Sequence, residues 1–259
     1  MRRADTKARV DRATQQALRR LLALVLAALL GGLALMPLPA QATIVYLGTT
    51  VGRNESLPLD GSPGAVTVAK PATAKPGDAL IVSVAARPRS MTATAPAGWI
   101  LMTFTDEVDG GTATAPFGMS LVTYLKIVGV GEPATYTWTF ANPSNAGGMA
   151  VAGLLHFSGI DTSTRNPIDG NGTVWSARVN PSGLTHGADS ITTVSLNTMI
   201  VSSITFLSSS NFGAPTGVAG LVERIDQAAP AAAGSIGITM QMSAGAKARA
   251  GATGNMQAT

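Results

Sequence analysis

The sequence predicts an all-β protein: a two-sheet antiparallel β-sandwich of jelly-roll-like type, preceded by a helical signal peptide. Three observations predict it. Tyr136-Thr137-Trp138-Thr139-Phe140 alternates three rings with two threonines, the period-2 pattern of a half-buried strand. Short apolar runs recur along the chain between turn clusters such as Pro76-Gly77-Asp78 and Pro96-Ala97-Gly98. Charged residues make up only 12% of the chain, against 29 Gly and 15 Pro, which favours many strands and turns over a helical bundle.

The chain opens on a basic leader containing Arg2, Arg3, Lys7, Arg9, Arg12, Arg19 and Arg20. Residues 21–36 are an uninterrupted run of Leu, Ala, Val, Gly and Met. Pro37-Leu38-Pro39 then breaks the helix, and Ala40-Gln41-Ala42 supplies a small-x-small cleavage pattern. This order predicts a signal peptide over 1–42, cleaved after Ala42, and a secreted, periplasmic or cell-surface destination. The run is somewhat shorter than the roughly 20 residues a spanning helix needs. A retained signal anchor, which shares the same inserting helix, is the alternative. With cleavage, the only membrane contact is through the leader.

The net charge of +4 belongs to that leader. From residue 43 onward, 11 Lys and Arg face 12 Asp and Glu. A near-neutral body gives no electrostatic footprint for nucleic acid, which is excluded as a partner. The absence of Cys excludes a disulfide scaffold, a thiol enzyme, a cysteine-ligated metal and a lipoprotein anchor.

The body reads as strands in order. Residues 44–51 form the first, and 54–64, with Pro58, Asp60-Gly61 and Pro63-Gly64, a loop. Strands follow at 65–70, at 79–86 (ALIVSVAA), at 99–105 and at 121–128, with Asp109-Gly110-Gly111 in a hairpin loop. The aromatic strand 136–140 and the apolar run 149–157 come next. After Gly170-Asn171-Gly172, 173–178 reads as an edge strand and 180–190 as loop. Further strands fall at 199–207, 221–225 and 235–242, with a loose Ala/Pro segment at 227–233 and a last strand beginning in 251–259. A shift of about 119 residues lays ALIVSVAARPRSMTATAPAGWILM over TMIVSSITFLSSSNFGAPTGVAGL, so that Ile81-Val82-Ser83 falls on Ile200-Val201-Ser202 and Gly98 on Gly217. Two similar strand–loop–strand units are expected, neither able to cover its own apolar face.

PAGW at 96–99, TYLK at 123–126, GEPATYTWTF at 131–140, AGG at 146–148 and FSGIDTSTRNPID at 157–169 together resemble a family of secreted bacterial proteins and modules. The tail GATGNMQAT is similar to that family's Gly-Ala-Thr-Gly stretch, so the resemblance spans about 65 to 259. It implies an extracellular β-sandwich, often a module of larger surface proteins, and no catalytic residues. Ser163-Thr164-Arg165 departs from the pattern, which usually passes more directly from Asp-Thr to Asn-Pro. The family also continues into another apolar strand. The expectation is one domain over 43–259 lacking its last strand, with a carboxy-terminal sheet edge open to self-association.

Candidate chemistry is sparse. His156, Ser158 and Asp161 lie in one short segment, but no nucleophile-elbow pattern surrounds them, and a strand-end histidine bonded to a neighbour is expected. His186 has no second histidine near it in sequence for zinc. Asp161, Asn166, Asp169 and Asn171 offer oxygen ligands in one loop, a candidate calcium site, although the same residues make turn hydrogen bonds. Trp99, Trp138, Trp175, Tyr124 and Tyr136 could stack on sugars. Trp138, flanked by Tyr136 and Phe140, reads as core, which leaves Trp175 and His156 as the candidate binding residues. Glu107, Asp109 and Glu132 sit in turns and make poor glycosidase carboxylates. The function expected is a noncatalytic secreted or surface module that binds a glycan or surface protein or self-assembles. An extracellular hydrolase with an unrecognised site is the alternative.

Overall fold

A computed structural model describes residues 43–57, 63–88, 93–107, 118–140, 148–162, 167–169, 186–208, 210–230 and 237–259. All of these fall within one compact unit, Ala42–Thr259. The leader, the loop at 109–111, Asn166, Asn171, Trp175 and the strand expected at 173–178 lie outside the described residues. Among the described residues every element is a strand, and no helix is long and apolar enough to cross a membrane.

The first eight strands build two antiparallel sheets. β1 (Val45–Leu57), β8 (Gly148–Ser158), β3 (Ala79–Arg87), β6 (Met119–Ile127) and β5 (Ile100–Glu107) lie side by side in that order. β2 (Gly64–Ala69), β7 (Thr135–Phe140) and β4 (Ala93–Thr94) form the second sheet. The alternation in β7 does what its sequence requires: Tyr136, Trp138 and Phe140 are buried while Thr135, Thr137 and Thr139 are exposed. The rings fill a core with Val66, Val68, Leu80, Val82, Val84, Val122 and Leu154, between the two sheets.

The five-stranded sheet is buried on its other face as well. There β11 (Thr198–Phe206), β13 (Ile238–Lys247) and β12 (Val222–Ala229) form a three-stranded antiparallel sheet. A second core joins Val151, Leu155 and Phe157 of β8 to Ile225, Met240 and Met242. β8 therefore contributes to both cores, which explains why its sequence is an unbroken apolar run instead of an alternating one. One polar stitch crosses this layer, where the Ser83 hydroxyl meets Thr123 at 2.9 Å and Ser203 at 2.7 Å. A third, smaller core lies on the far side of β11–β13. It holds Ile200, Ile204, Leu221, Met256 and Ala258. The short pairs β9 (His186–Ala188) with β15 (Met256–Ala258), and β10 (Thr192–Thr193) with β14 (Gly251–Ala252), complete the described strands.

The internal repeat is structural. β3 and β11 have matching bounds at the shift seen in the sequence, and β6 lies over β13 to within one residue. Gly98 and Gly217 both take positive φ, 82° and 85°, at the matching turn, a conformation a Cβ would strain. The strand pairing corrects the alignment by one residue on β11. Val82 faces the first core, whereas Val201, its sequence match, packs against the second core between the repeats. Pairing makes Ser202 the true counterpart of Val82, because Val82 lies opposite Tyr124 and Ser202 opposite Ser243. A one-residue slip moves a whole strand to its other face.

Several boundaries differ from expectation, among them β13, which starts at Ile238 and runs past the expected end at 242 to Lys247. β1 runs through the expected loop to Leu57, whose side chain is buried in the first core and holds the strand end down. β12 continues past residue 225 to Ala229, which is buried in the second core. His186, expected in a loop, lies in β9. The two-sheet expectation describes the first eight strands, and the remaining strands add further layers against them.

Candidate functional site

Three of the segments that carry the family resemblance converge on one place. Lys126 ends the TYLK run on β6, Glu132 opens the turn before β7, and Ala97-Gly98-Trp99 closes over them. Lys126 Nζ lies 3.2 Å from Glu132 Oε1, and the side chains are only 9% and 11% exposed. The same ammonium donates to the Ala97 carbonyl at 3.2 Å. A Cβ at Gly98 would stand 2.6 Å from Nζ, and the turn's φ of +82° favours glycine there. Glu132 also accepts from the Gly129 backbone N–H at 3.1 Å and from the Tyr136 hydroxyl at 3.0 Å. Burial opposes the charge on Glu132, but the Gly129, Lys126 and Tyr136 bonds outweigh it and hold the carboxyl below its ordinary pKa. Burial first, and then the carboxylate accepting its proton, push the Tyr136 phenol well up. Trp99 lies edge-on to both Tyr136 and Trp138, with ring centroids 5.1 Å apart in each case. Each charged end of this cluster points at a partner inside the fold, while the Trp99 indole N–H is buried with no hydrogen-bond partner among the described residues.

His156 is fully buried near the carboxy-terminal end of β8. Its Nε2 lies 2.8 Å from Asp78 Oδ2, and its Nδ1 lies 3.5 Å from the Thr73 hydroxyl. The carboxylate can only accept, so Nε2 donates to it. Burial works against the Asp78 charge, yet the bonds from His156 and from the Lys75 backbone N–H, 2.9 Å away, hold its pKa down. The partner is thus Asp78, and not Asp161, which is exposed. Asp78 and His156 are 78 residues apart in sequence, and nothing in the turn Pro76-Gly77-Asp78 advertised the pairing.

The other expected residues scatter. Asp169 Oδ2 accepts the backbone N–H groups of Val194 at 2.6 Å and Ser195 at 3.3 Å, which ties the 167–169 segment to the loop after β10. Asn166, Asn171 and Trp175 fall outside the described residues, so the calcium loop and the exposed-tryptophan site have no geometry here. Among the described residues no group of three or more His, Cys, Asp and Glu comes together. His186 packs against Phe206 and Phe212, with ring centroids 4.0 and 5.8 Å away, and burial lowers its pKa.

Edge strands carry the remaining feature. β1 exposes Val45, Leu47 and Val51, and β5 exposes Ile100, Leu101 and Phe104, all between 42% and 56% exposed. These are the two outer strands of the five-stranded sheet. Compared with protein-family models, with curated proteins and with solved structures, the chain matches none.

Proposed function

We propose that this chain is a noncatalytic secreted or cell-surface module, exported by its leader, that binds a protein surface or a glycan or assembles with its own kind. The fold is read as a β-sandwich of jelly-roll type. The order β1-β8-β3-β6-β5 opposite β2-β7-β4 supports that reading, because apart from β5, which pairs with β6 at the edge, each sheet interleaves strands from the two ends of one eight-strand run.

The observation that carries the binding role is the exposed apolar set on β1 and β5. Outer strands also present unpaired backbone groups, so backbone pairing and apolar contact are available on the same edge. The His156–Asp78 and Lys126–Glu132 pairs support the noncatalytic side, since both spend their polar atoms on partners within the fold.

The test is light scattering on the full chain beside a Leu101→Lys, Phe104→Lys variant, with a parallel pull-down on purified cell-wall polysaccharide. Self-association or capture of an envelope protein that the variant loses supports the edge reading. Polysaccharide retention unchanged by the variant moves the role to a glycan site elsewhere. A monomer that binds neither overturns the reading. Export is tested separately, by mass spectrometry of the extracytoplasmic form, which is expected to begin at Thr43.

The hydrolase reading has one observation in its favour. Thr73, His156 and Asp78 line up as hydroxyl, imidazole and carboxylate, and Thr73 is exposed. Turnover on ester, glycoside or peptide panels that both Thr73→Ala and His156→Ala abolish would favour it.

A further inference from the structure

We propose that the second repeat holds a hard divalent cation of the calcium class, coordinated by Glu223, Asp226, Gln241, Ser202 and Ser243 on the β11–β13–β12 sheet. The two repeats, compared row by row, make the site visible. In the first, Val82, Tyr124 and Leu101 lie side by side across β3, β6 and β5, and Val84, Val122 and Phe104 form the next row on that face. All six are apolar. In the second, the corresponding rows are Ser202, Ser243 and Glu223, then Ile204, Gln241 and Asp226. Residues directly opposite across a sheet share a face, so these six point the same way.

The backbone fixes the correspondence. β5 has a register shift between Leu101 and Thr103, and β12 has one between Glu223 and Ile225, each beside the same row. Four hydrocarbon positions have therefore become oxygen-bearing at matched places, and a tyrosine is matched by a serine.

These oxygens do not satisfy one another. Ser202 Oγ, Asp226 Oδ1, Gln241 Oε1 and Ser243 Oγ are all shielded from solvent and have no hydrogen-bond partner among the described residues. Gln241 and Ser243 are each 1% exposed. Chemistry fixes the Gln241 amide, because Nε2 donates to the Gly213 carbonyl at 2.8 Å and to Glu223 Oε2 at 2.9 Å, both acceptors. The atom left over is Oε1, an acceptor. Buried polar atoms in native folds nearly always find partners, so four unmet oxygens on one patch call for a ligand.

The charge of the patch favours a positive ligand. Two carboxylates belong to the cluster, and neither takes part in the ion pairs found among the described residues. Arg224, between them in sequence, stacks on the Tyr46 ring instead, 4.2 Å from its centroid. Burial raises the Asp226 carboxyl, the Phe212 backbone N–H opposes this, and the nearby charge of Glu223 adds to the rise. An all-oxygen donor set, with no thiolate or imidazole, selects hard cations such as calcium. The site is distinct from the loop at 161–171.

Equilibrium dialysis of the full chain against about 1 mM calcium, the affinity range of extracellular modules, tests the proposal. Bound metal is measured directly, and melting is followed with calcium and with chelator. Retained calcium and a higher Tm are expected. Glu223→Gln should weaken binding by at least the roughly tenfold that loss of even an outer partner costs. Should that variant misfold, Ser243→Ala removes one oxygen without changing charge and is expected to weaken binding with the circular dichroism unchanged. Asp161→Asn should leave binding as it is. No retained calcium, retention equal to wild type in both site variants, or loss in Asp161→Asn alone would overturn the proposal.

Discussion

Lys126 and Glu132 face each other across the turn between β6 and β7, 3.2 Å apart and almost wholly screened from water. Their geometry turns three sequence fragments into one object. The turn at 97–99 supplies a carbonyl and a glycine, β6 supplies the cation, and the 129–136 segment supplies the anion with its two other donors. The pair locks the end of the first core, beneath Trp99 and beside Tyr136.

Removing one partner should therefore be costly. Glu132→Gln leaves the Lys126 ammonium buried without its counter-charge, and loss of about 3–5 kcal/mol is expected. Lys126→Met with Glu132→Gln should recover part of that loss, because no buried charge then remains unpaired. Chemical denaturation of the two variants measures both. Equal stability of Glu132→Gln and wild type would show that the pair contributes little.

Acid should destabilise the protein through two carboxylates. Asp78 and Glu132 both have lowered pKa in the folded state. Their contribution is fully present above the unfolded values, roughly 4, and is lost as pH falls through the lower folded values. Asp226, raised, has the opposite sign, and its contribution is lost as pH rises through the folded value. Melting temperature followed from neutral pH to about pH 2 should fall steeply at the acid end. Asp78→Asn and Glu132→Gln should each flatten that limb, and Asp226→Asn should not.

Trp138 tests the central strand. It is fully buried in the first core, and its indole N–H has no hydrogen-bond partner among the described residues. Trp138→Ala should cost about 3–5 kcal/mol through the cavity it leaves. Trp138→Phe should cost clearly less, since it keeps most of the ring and removes the unmet donor. Denaturation midpoints with an unchanged slope would read both as changes in stability.

The strands were legible wherever one face alone decides the pattern. β7 alternates because its threonines face outward, and the structure keeps that assignment residue for residue. β8 was legible as a strand, but its unbroken apolar run did not say that two layers would cover it. The repeat was visible in sequence, and its one-residue slip on β11 was not, because a strand's face depends on pairing partners far along the chain. The site was less legible for the same reason. Asp78 and His156 meet only through tertiary folding, and Glu223, Asp226 and Gln241 look like ordinary exposed polar residues until matched with Leu101, Phe104 and Val122.

Gly153 tests how the two repeats are stacked. It lies mid-way along β8, between β1 and β3. A Cβ built there would approach Ile225 Cδ1 to 2.8 Å, Met240 Cε to 2.9 Å and Met242 Sδ to 2.9 Å. All three belong to the β12–β13 face of the second core, so glycine lets that sheet sit down on β8. The obstructing atoms are the ends of flexible side chains, and methionines adapt, so Gly153→Ala should be accommodated at modest cost. Gly153→Leu cannot be absorbed by rotamer changes alone and should cost at least the roughly 1–3 kcal/mol of an overpacked core. The damage should be uneven. Amide hydrogen exchange should accelerate in β11, β12 and β13, while β2 and β7, on the far side of the first core, keep their protection. Uniform acceleration through both repeats would show that the layers unfold as one, and unchanged exchange would show that the second sheet does not rest on β8.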